Sequence, residues 1–146
     1  MNKKAKGFTL IELMIVVAIV ALISVIAYPS YMNYVINTKR NVATNTLLQI
    51  ADRQQQFFMD NKRYAATLTD LGLAANPLIL DEQGNPADAG NTRTVYAVSL
   101  SDITATTYTI TAAPVNMQLK RDTTCGSLTL NQAGTQGAST GYDGCW

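Results

Sequence analysis

The chain has 146 residues, 47% of them hydrophobic and 14% charged, with a formal net charge of +1. It contains no histidine, which excludes Ser-His-Asp and Cys-His catalysis and every His-containing metal site. Setting aside Lys3, Lys4 and Lys6 leaves eight basic residues against ten acidic ones, a net of −2 with no strong electrostatic pull toward nucleic acid.

This length has room for one globular domain and one long additional element. Residues 1–7, Met-Asn-Lys-Lys-Ala-Lys-Gly, are short, basic and polar. From Phe8 to Tyr28 the sequence is apolar with one charge, Glu12. The uninterrupted run from Leu13 is shorter than the ~20 residues of a free-standing transmembrane helix. Including Phe8 to Ile11 brings it to a spanning length if Glu12 is tolerated. Lysines ahead of the run would stay cytoplasmic and the remainder of the chain would face outward.

Three processing fates fit such a segment. In an ordinary secretory signal, Leu13 onward is the apolar region and Val25-Ile26-Ala27 supplies small residues for cleavage. The apolar run is long for that role, and an acidic residue opens it. A signal anchor would remain uncleaved. A third fate is cleavage on the cytoplasmic side, ahead of the apolar run.

Lys6-Gly7-Phe8-Thr9-Leu10-Ile11-Glu12 resembles the leader junction of type IV prepilins and the related pseudopilins. The resemblance implies that a membrane prepilin peptidase cuts between Gly7 and Phe8 and methylates the new amine of Phe8. It implies a bacterial inner-membrane precursor, with a cytoplasmic N-terminus and a periplasmic globular part, that is later built into an extracellular pilus. Other pilins, major and minor, and an inner-membrane assembly platform are the implied partners, and no cofactor or metal is.

A carboxylate in a membrane helix costs up to ~2.5–3.5 kcal/mol at the bilayer centre and less near its edge. The positive helix end explains why Glu12 is tolerated there. After cleavage, the amine of Phe8 would lie one turn from Glu12 on the same helix face. The pair can neutralise itself within one chain, or Glu12 can neutralise a neighbouring subunit. The resemblance implies the second, which makes Glu12 a register device in an apolar filament core, where an unpaired carboxylate is penalised.

Polar, helix-compatible sequence continues beyond Tyr28-Pro29-Ser30 to about Phe58, and Asn61 with Tyr64-Ala65 suggests the helix end. Val42, Ala43, Leu47, Ile50, Ala51, Phe57 and Phe58 fall on about half of a helical wheel, with Leu48 off that face and Arg53 on it. A helix from Phe8 to Asn61 would be roughly 80 Å long. Pro29 removes the backbone partner of the Val25 carbonyl and should bend or weaken the helix. In pilins a proline at this place resembles the point where the helix melts in the filament.

Tyr64 to Arg93 reads as a long irregular connection whose Leu68, Leu71 and Leu73 cap the helix end. Asn76-Pro77, Gly84-Asn85-Pro86 and Gly90-Asn91 mark turns. Strand-like runs follow at Thr94–Leu100, Thr107–Ala112 and Ser127–Asn131, with a weaker candidate at Met117–Leu119. An antiparallel sheet on the amphipathic half of the helix buries both apolar faces. Cys125 and Cys145, an even pair in an exported chain, read as a disulfide pinning a glycine-rich, flexible C-terminal flap.

These elements make the fold class α+β, and the resemblance implies a pilin fold. Its segments are a leader (1–7), a transmembrane and filament-core helix (8–28), an amphipathic half (29–61) and a globular region (62–146). Thr107–Ala112, Cys125–Gln132, Cys145-Trp146 and Asn61–Ala65 resemble PilE-like minor pilins of type IVa pili. That resemblance implies a low-abundance subunit that helps initiate assembly and so supports twitching motility, adhesion or DNA uptake. Two alternatives are a DNA-binding competence pilin and a pseudopilin of a type II secretion system. For the first, Lys120-Arg121 is the candidate contact, with Lys39-Arg40 and Lys62-Arg63 as further pairs. Isolated basic pairs are as a rule solvated surface charge, and clustered patches are what nucleic acid requires.

Overall fold

The computed structural model describes residues 7–146. Lys3, Lys4 and Lys6 of the basic leader lie outside the described residues. The chain divides into two compact units, Met1–Val35 and Ile36–Trp146. Helix α1 (Leu10–Asn61) begins in the first and ends in the second.

In the first unit α1 presents aliphatic side chains all round. Its most apolar 18-residue window has a mean hydropathy of 3.0, with none of it buried within the chain. Exposed Leu, Ile, Val and Met side chains follow one another from Leu10 to Ile26. Such a surface is stable only where lipid or other apolar helices replace water. Helical structure continues through Pro29, although proline leaves the Val25 carbonyl without its usual N–H partner.

In the second unit α1 buries Ala43, Leu47, Ile50 and Gln54, spaced by four, three and four residues along one face. Leu48, off that face, is exposed. The helix stops where Lys62 adopts a left-handed φ of 56°. Its backbone N–H bonds the Phe58 carbonyl (2.8 Å), and Asn61 Nδ2 donates to the Phe57 carbonyl (3.0 Å). These bonds satisfy carbonyls that a helix end leaves without partners.

Against this face lies a five-stranded antiparallel meander in the order β1 to β5: β1 (Leu78–Asp81), β2 (Thr94–Ser101), β3 (Thr109–Pro114), β4 (Leu128–Asn131) and β5 (Gln136–Ala138). The register aligns Leu78, Val98, Ala112, Leu128 and Ala138 in one row across all five strands. Leu80 pairs with Tyr96, and Ile110 with Leu130, on the same parity. The inward residues, with Ala43, Leu47 and Ile50 of α1, form the core. Leu68 and Leu71 join this core and Leu73 packs against it, while Arg53 of α1 donates to the Leu71 carbonyl (2.9 Å).

Three sequence readings are corrected. The connection from Tyr64 to Arg93 is not irregular throughout, because it contains a 3-10 turn (Thr69–Leu71) and strand β1. Four residues between turns are too few to show an alternation, and β1 is defined by its pairing with β2. Met117–Leu119 is helical, within α2 (Asn116–Arg121), not strand. Gln118 and Asp122 are its buried side, a four-residue spacing that a three-residue window could not reveal. The C-terminal segment is a paired edge rather than a loose flap. Its Gly137 sits opposite Thr129, and a β-carbon on Gly137 would collide with the Thr129 hydroxyl.

Candidate functional site

The N-terminal site begins at Gly7, where a side chain would meet open space, and Phe8, 90% exposed. Thr9 and Glu12 then form a reciprocal pair. The Thr9 N–H and hydroxyl both donate to Glu12 Oε2 (2.9 Å each), and the Glu12 N–H donates to Thr9 Oγ1 (3.3 Å). This is a capping box, which satisfies otherwise unpartnered N–H groups at the start of α1. Its Thr-x-x-Glu signature is readable in the sequence, and it gives Glu12 a role beyond its charge. Glu12 therefore organises the first helical turn within its own chain.

The second site surrounds α2. Val115, in extended conformation, precedes the helix, and Gln118 and Asp122 turn inward. Met117, Leu119, Lys120 and Arg121 remain on the surface. Arg40 approaches from α1 and grips Asp122 with two nitrogens, Nη2 to Oδ1 at 2.7 Å and Nε to Oδ2 at 3.1 Å. The Asp122 side chain is 0% exposed and that of Arg40 only 12%. The Tyr96 hydroxyl donates to Asp122 Oδ2 (3.4 Å), and Gln118 Nε2 lies 3.3 Å from the same oxygen. Burial, with the Asp122 carboxylate adding to it, pushes the Tyr96 phenol up to about 12.

Asp122 also reaches the disulfide. Its Oδ1 accepts the Cys125 N–H (3.3 Å), and its carbonyl accepts the Gly126 N–H (3.2 Å). Cys125 and Cys145 are joined, with Cα atoms 5.6 Å apart, and both are buried. Beyond them, Trp146 Nε1 donates to the Gly137 carbonyl of β5 (2.9 Å). The disulfide, the end of α2 and β5 are thus one connected region.

The three basic pairs separate in the structure. Lys39 bonds Glu82 at 2.6 Å and Arg40 bonds Asp122, so the first pair is spent within the fold. Lys62 Nζ donates to the Met59 carbonyl (2.9 Å), beside exposed Arg63 at the end of α1. Lys120 and Arg121 stay exposed at the end of α2, outside the ion pairs found among the described residues. Among the described residues no group of three or more His, Cys, Asp or Glu is placed to hold a metal ion.

An apolar N-terminal helix, an antiparallel sheet on its polar half and a disulfide-closed C-terminal region define the class of type IV pilins. Two family profiles carry the assignment further. One, described as "Type IV minor pilin ComP, DNA uptake sequence receptor", matches residues 29–129, and the chain belongs to this minor pilin family. The other, the prokaryotic N-terminal methylation motif, matches residues 2–28. With the apolar helix, that motif fits an inner-membrane precursor assembled into an extracellular pilus.

The chain is also 37% identical over 73 residues to the type IV major pilin protein PilA of Myxococcus xanthus (strain DK1622). That match spans 50% of this chain and 33% of the relative, so the chain corresponds to about a third of the relative's length. A solved type IV pilin from Shewanella oneidensis aligns over 76% of this chain and 97% of its own, at 18% identity and a TM-score of 0.48.

Proposed function

We propose that this minor pilin is cut between Gly7 and Phe8, methylated on Phe8 and added to a pilus, where its globular unit binds DNA through Lys120 and Arg121. Prepilin peptidase, an inner-membrane assembly platform and other pilins are the partners of that route. Glu12 serves it twice, first as the cap of its own helix and then as the acceptor of a neighbour's N-terminal charge.

One observation carries the DNA reading. Within the stretch that matches a family described as DNA uptake receptors, α2 ends in two exposed cations while the nearby Arg40 is locked to Asp122. After Gly7 the charges outside α2 are six basic against ten acidic, a net of −4 that repels DNA, so binding must be local and salt-sensitive.

The test is a titration of duplex DNA with the detergent-solubilised full chain at several salt concentrations. The native chain should bind at low salt, and Lys120→Ala with Arg121→Ala should weaken binding and flatten the salt dependence. Two lost phosphate contacts correspond to a change of about 1.8 in the slope of log affinity against log salt. Absence of binding by the native chain at low salt would overturn the DNA reading and leave the pilus subunit.

A further inference from the structure

We infer that Arg40 and Asp122 are positioning residues for the DNA contact: their buried ion pair fixes the end of α2 so that Lys120 and Arg121 face outward together. This rests on the DNA reading of α2 given above. A six-residue helix has too few internal hydrogen bonds to hold its own shape, because helix nucleation is unfavourable. Its geometry must come from what anchors it. The anchor is Asp122, the residue directly after the cation pair, and its side chain is fully buried.

Every group around that carboxylate belongs to a different part of the globular unit. Arg40 supplies a two-pronged grip from α1, Tyr96 a hydroxyl from β2, and Cys125 a backbone N–H beside the disulfide. Gln118, one helical turn earlier, bonds the Tyr96 hydroxyl (3.2 Å), Asp122 Oδ2 (3.3 Å) and the Ile36 carbonyl (3.4 Å). The inward side of α2 is therefore held at both 118 and 122. The intervening residues, Leu119, Lys120 and Arg121, have no freedom to rotate inward, and all three are exposed. A planar guanidinium on a carboxylate fixes orientation as well as distance, which a lysine in its place cannot do.

Electrostatics and positioning give opposite signs for one substitution. Asp122→Asn deletes a negative charge next to the proposed contact, so a charge effect alone tightens DNA binding. Loss of positioning weakens it instead. The experiment measures DNA affinity and its salt slope for the full chain in detergent, with native, Asp122→Asn, Arg40→Lys and Lys120→Ala/Arg121→Ala forms. Amide resonances of residues 118–126 report the geometry of α2 in each.

Asp122→Asn should bind several-fold more weakly than the native chain despite its added net positive charge. Arg40→Lys, which keeps the charge and loses the fork, should also weaken binding and shift the Lys120 and Arg121 amides while the β2–β3 amides stay in place. Should Asp122→Asn fail to fold, Arg40→Lys decides alone. Native or tighter binding by a folded Asp122→Asn, or native binding by Arg40→Lys, overturns the positioning role. Unchanged binding by the Lys120→Ala/Arg121→Ala form instead shows that the DNA reading of α2 has failed.

Discussion

The side chain of Gln54 closes a two-bond ring with the main chain of Ala65: its Nε2 donates to the Ala65 carbonyl (3.1 Å), and its Oε1 accepts the Ala65 N–H (2.8 Å). Both residues are buried. A primary carboxamide presents an N–H donor and a carbonyl acceptor side by side, as the N–H and C=O of one residue do on a strand edge, and here it stands in for a neighbouring strand. It turns the chain back on α1 after Asn61, bringing Tyr64 into ring contact with Phe58 (4.8 Å) and Tyr108 (4.6 Å).

Gln54→Leu should therefore destabilise the globular unit despite being apolar and of similar size. It strands a buried N–H and a buried carbonyl, at ~1–3 kcal/mol for each group left unpaired. Chemical denaturation should show a lower midpoint, with quenching or shift of the tyrosine signals near Tyr64. An unchanged midpoint would mean that water replaces the amide.

The capping box separates two roles of Glu12 that a deletion to alanine would confuse. Glu12→Ala should spare insertion and leader cleavage and impair incorporation into filaments. Glu12→Gln keeps an acceptor for the Thr9 N–H and removes the charge. If charge neutralisation sets the register, Glu12→Gln should fail in filaments as Glu12→Ala does, while keeping the helix start intact. Fractionation, mass spectrometry of the N-terminus and immunolabelling of sheared pili measure the three stages. Filaments with native amounts of Glu12→Gln would assign Glu12 to capping alone.

The leader junction is seven consecutive residues, so its chemistry is local and legible. Strands β2 and β3 alternate over enough residues to show a period of two. Strand β5 is Gln-Gly-Ala, a composition with no strand preference, and it exists because β4 offers it an edge. Arg40 and Asp122 meet across 82 positions of sequence, and nothing local to either announces the contact. Gln54 and the Thr9–Glu12 box carried readable signals, the first in its spacing from Ala43, Leu47 and Ile50.

The disulfide closes a separation of 20 residues that contains β4 and β5. Its removal by Cys125→Ser with Cys145→Ser should cost ~3 kcal/mol in the chain-entropy model. The loss should fall unevenly, because Trp146, the Gly137 carbonyl and the Asp122–Cys125 bond all lie next to the bridge. Hydrogen exchange should accelerate most in β5 and residues 139–146, less in β1 and β2, and least in α1 around Leu47. Uniform acceleration across the unit would mean that the bridge supports the whole core.

Tyr96 supplies a test at alkaline pH. Its phenol is pushed from 10.0 up to about 12 in the fold, chiefly by burial. The folded state thus holds this proton more tightly than the unfolded one, which favours the neutral phenol. That contribution is complete below pH 10 and is lost progressively as pH rises from about 10 to about 12. A shift of this size corresponds to ~2–3 kcal/mol of stability exposed to alkali. Tyr96→Phe should lower stability at neutral pH, because Asp122 and Gln118 lose their bonds to the hydroxyl. It should also remove part of the slope of stability against pH in the alkaline window. The comparison of native and Tyr96→Phe chains by denaturant unfolding at pH steps isolates the part that belongs to this residue. Parallel curves for the two would place the alkaline transition elsewhere and deny Tyr96 its part in holding the Asp122 cluster shut.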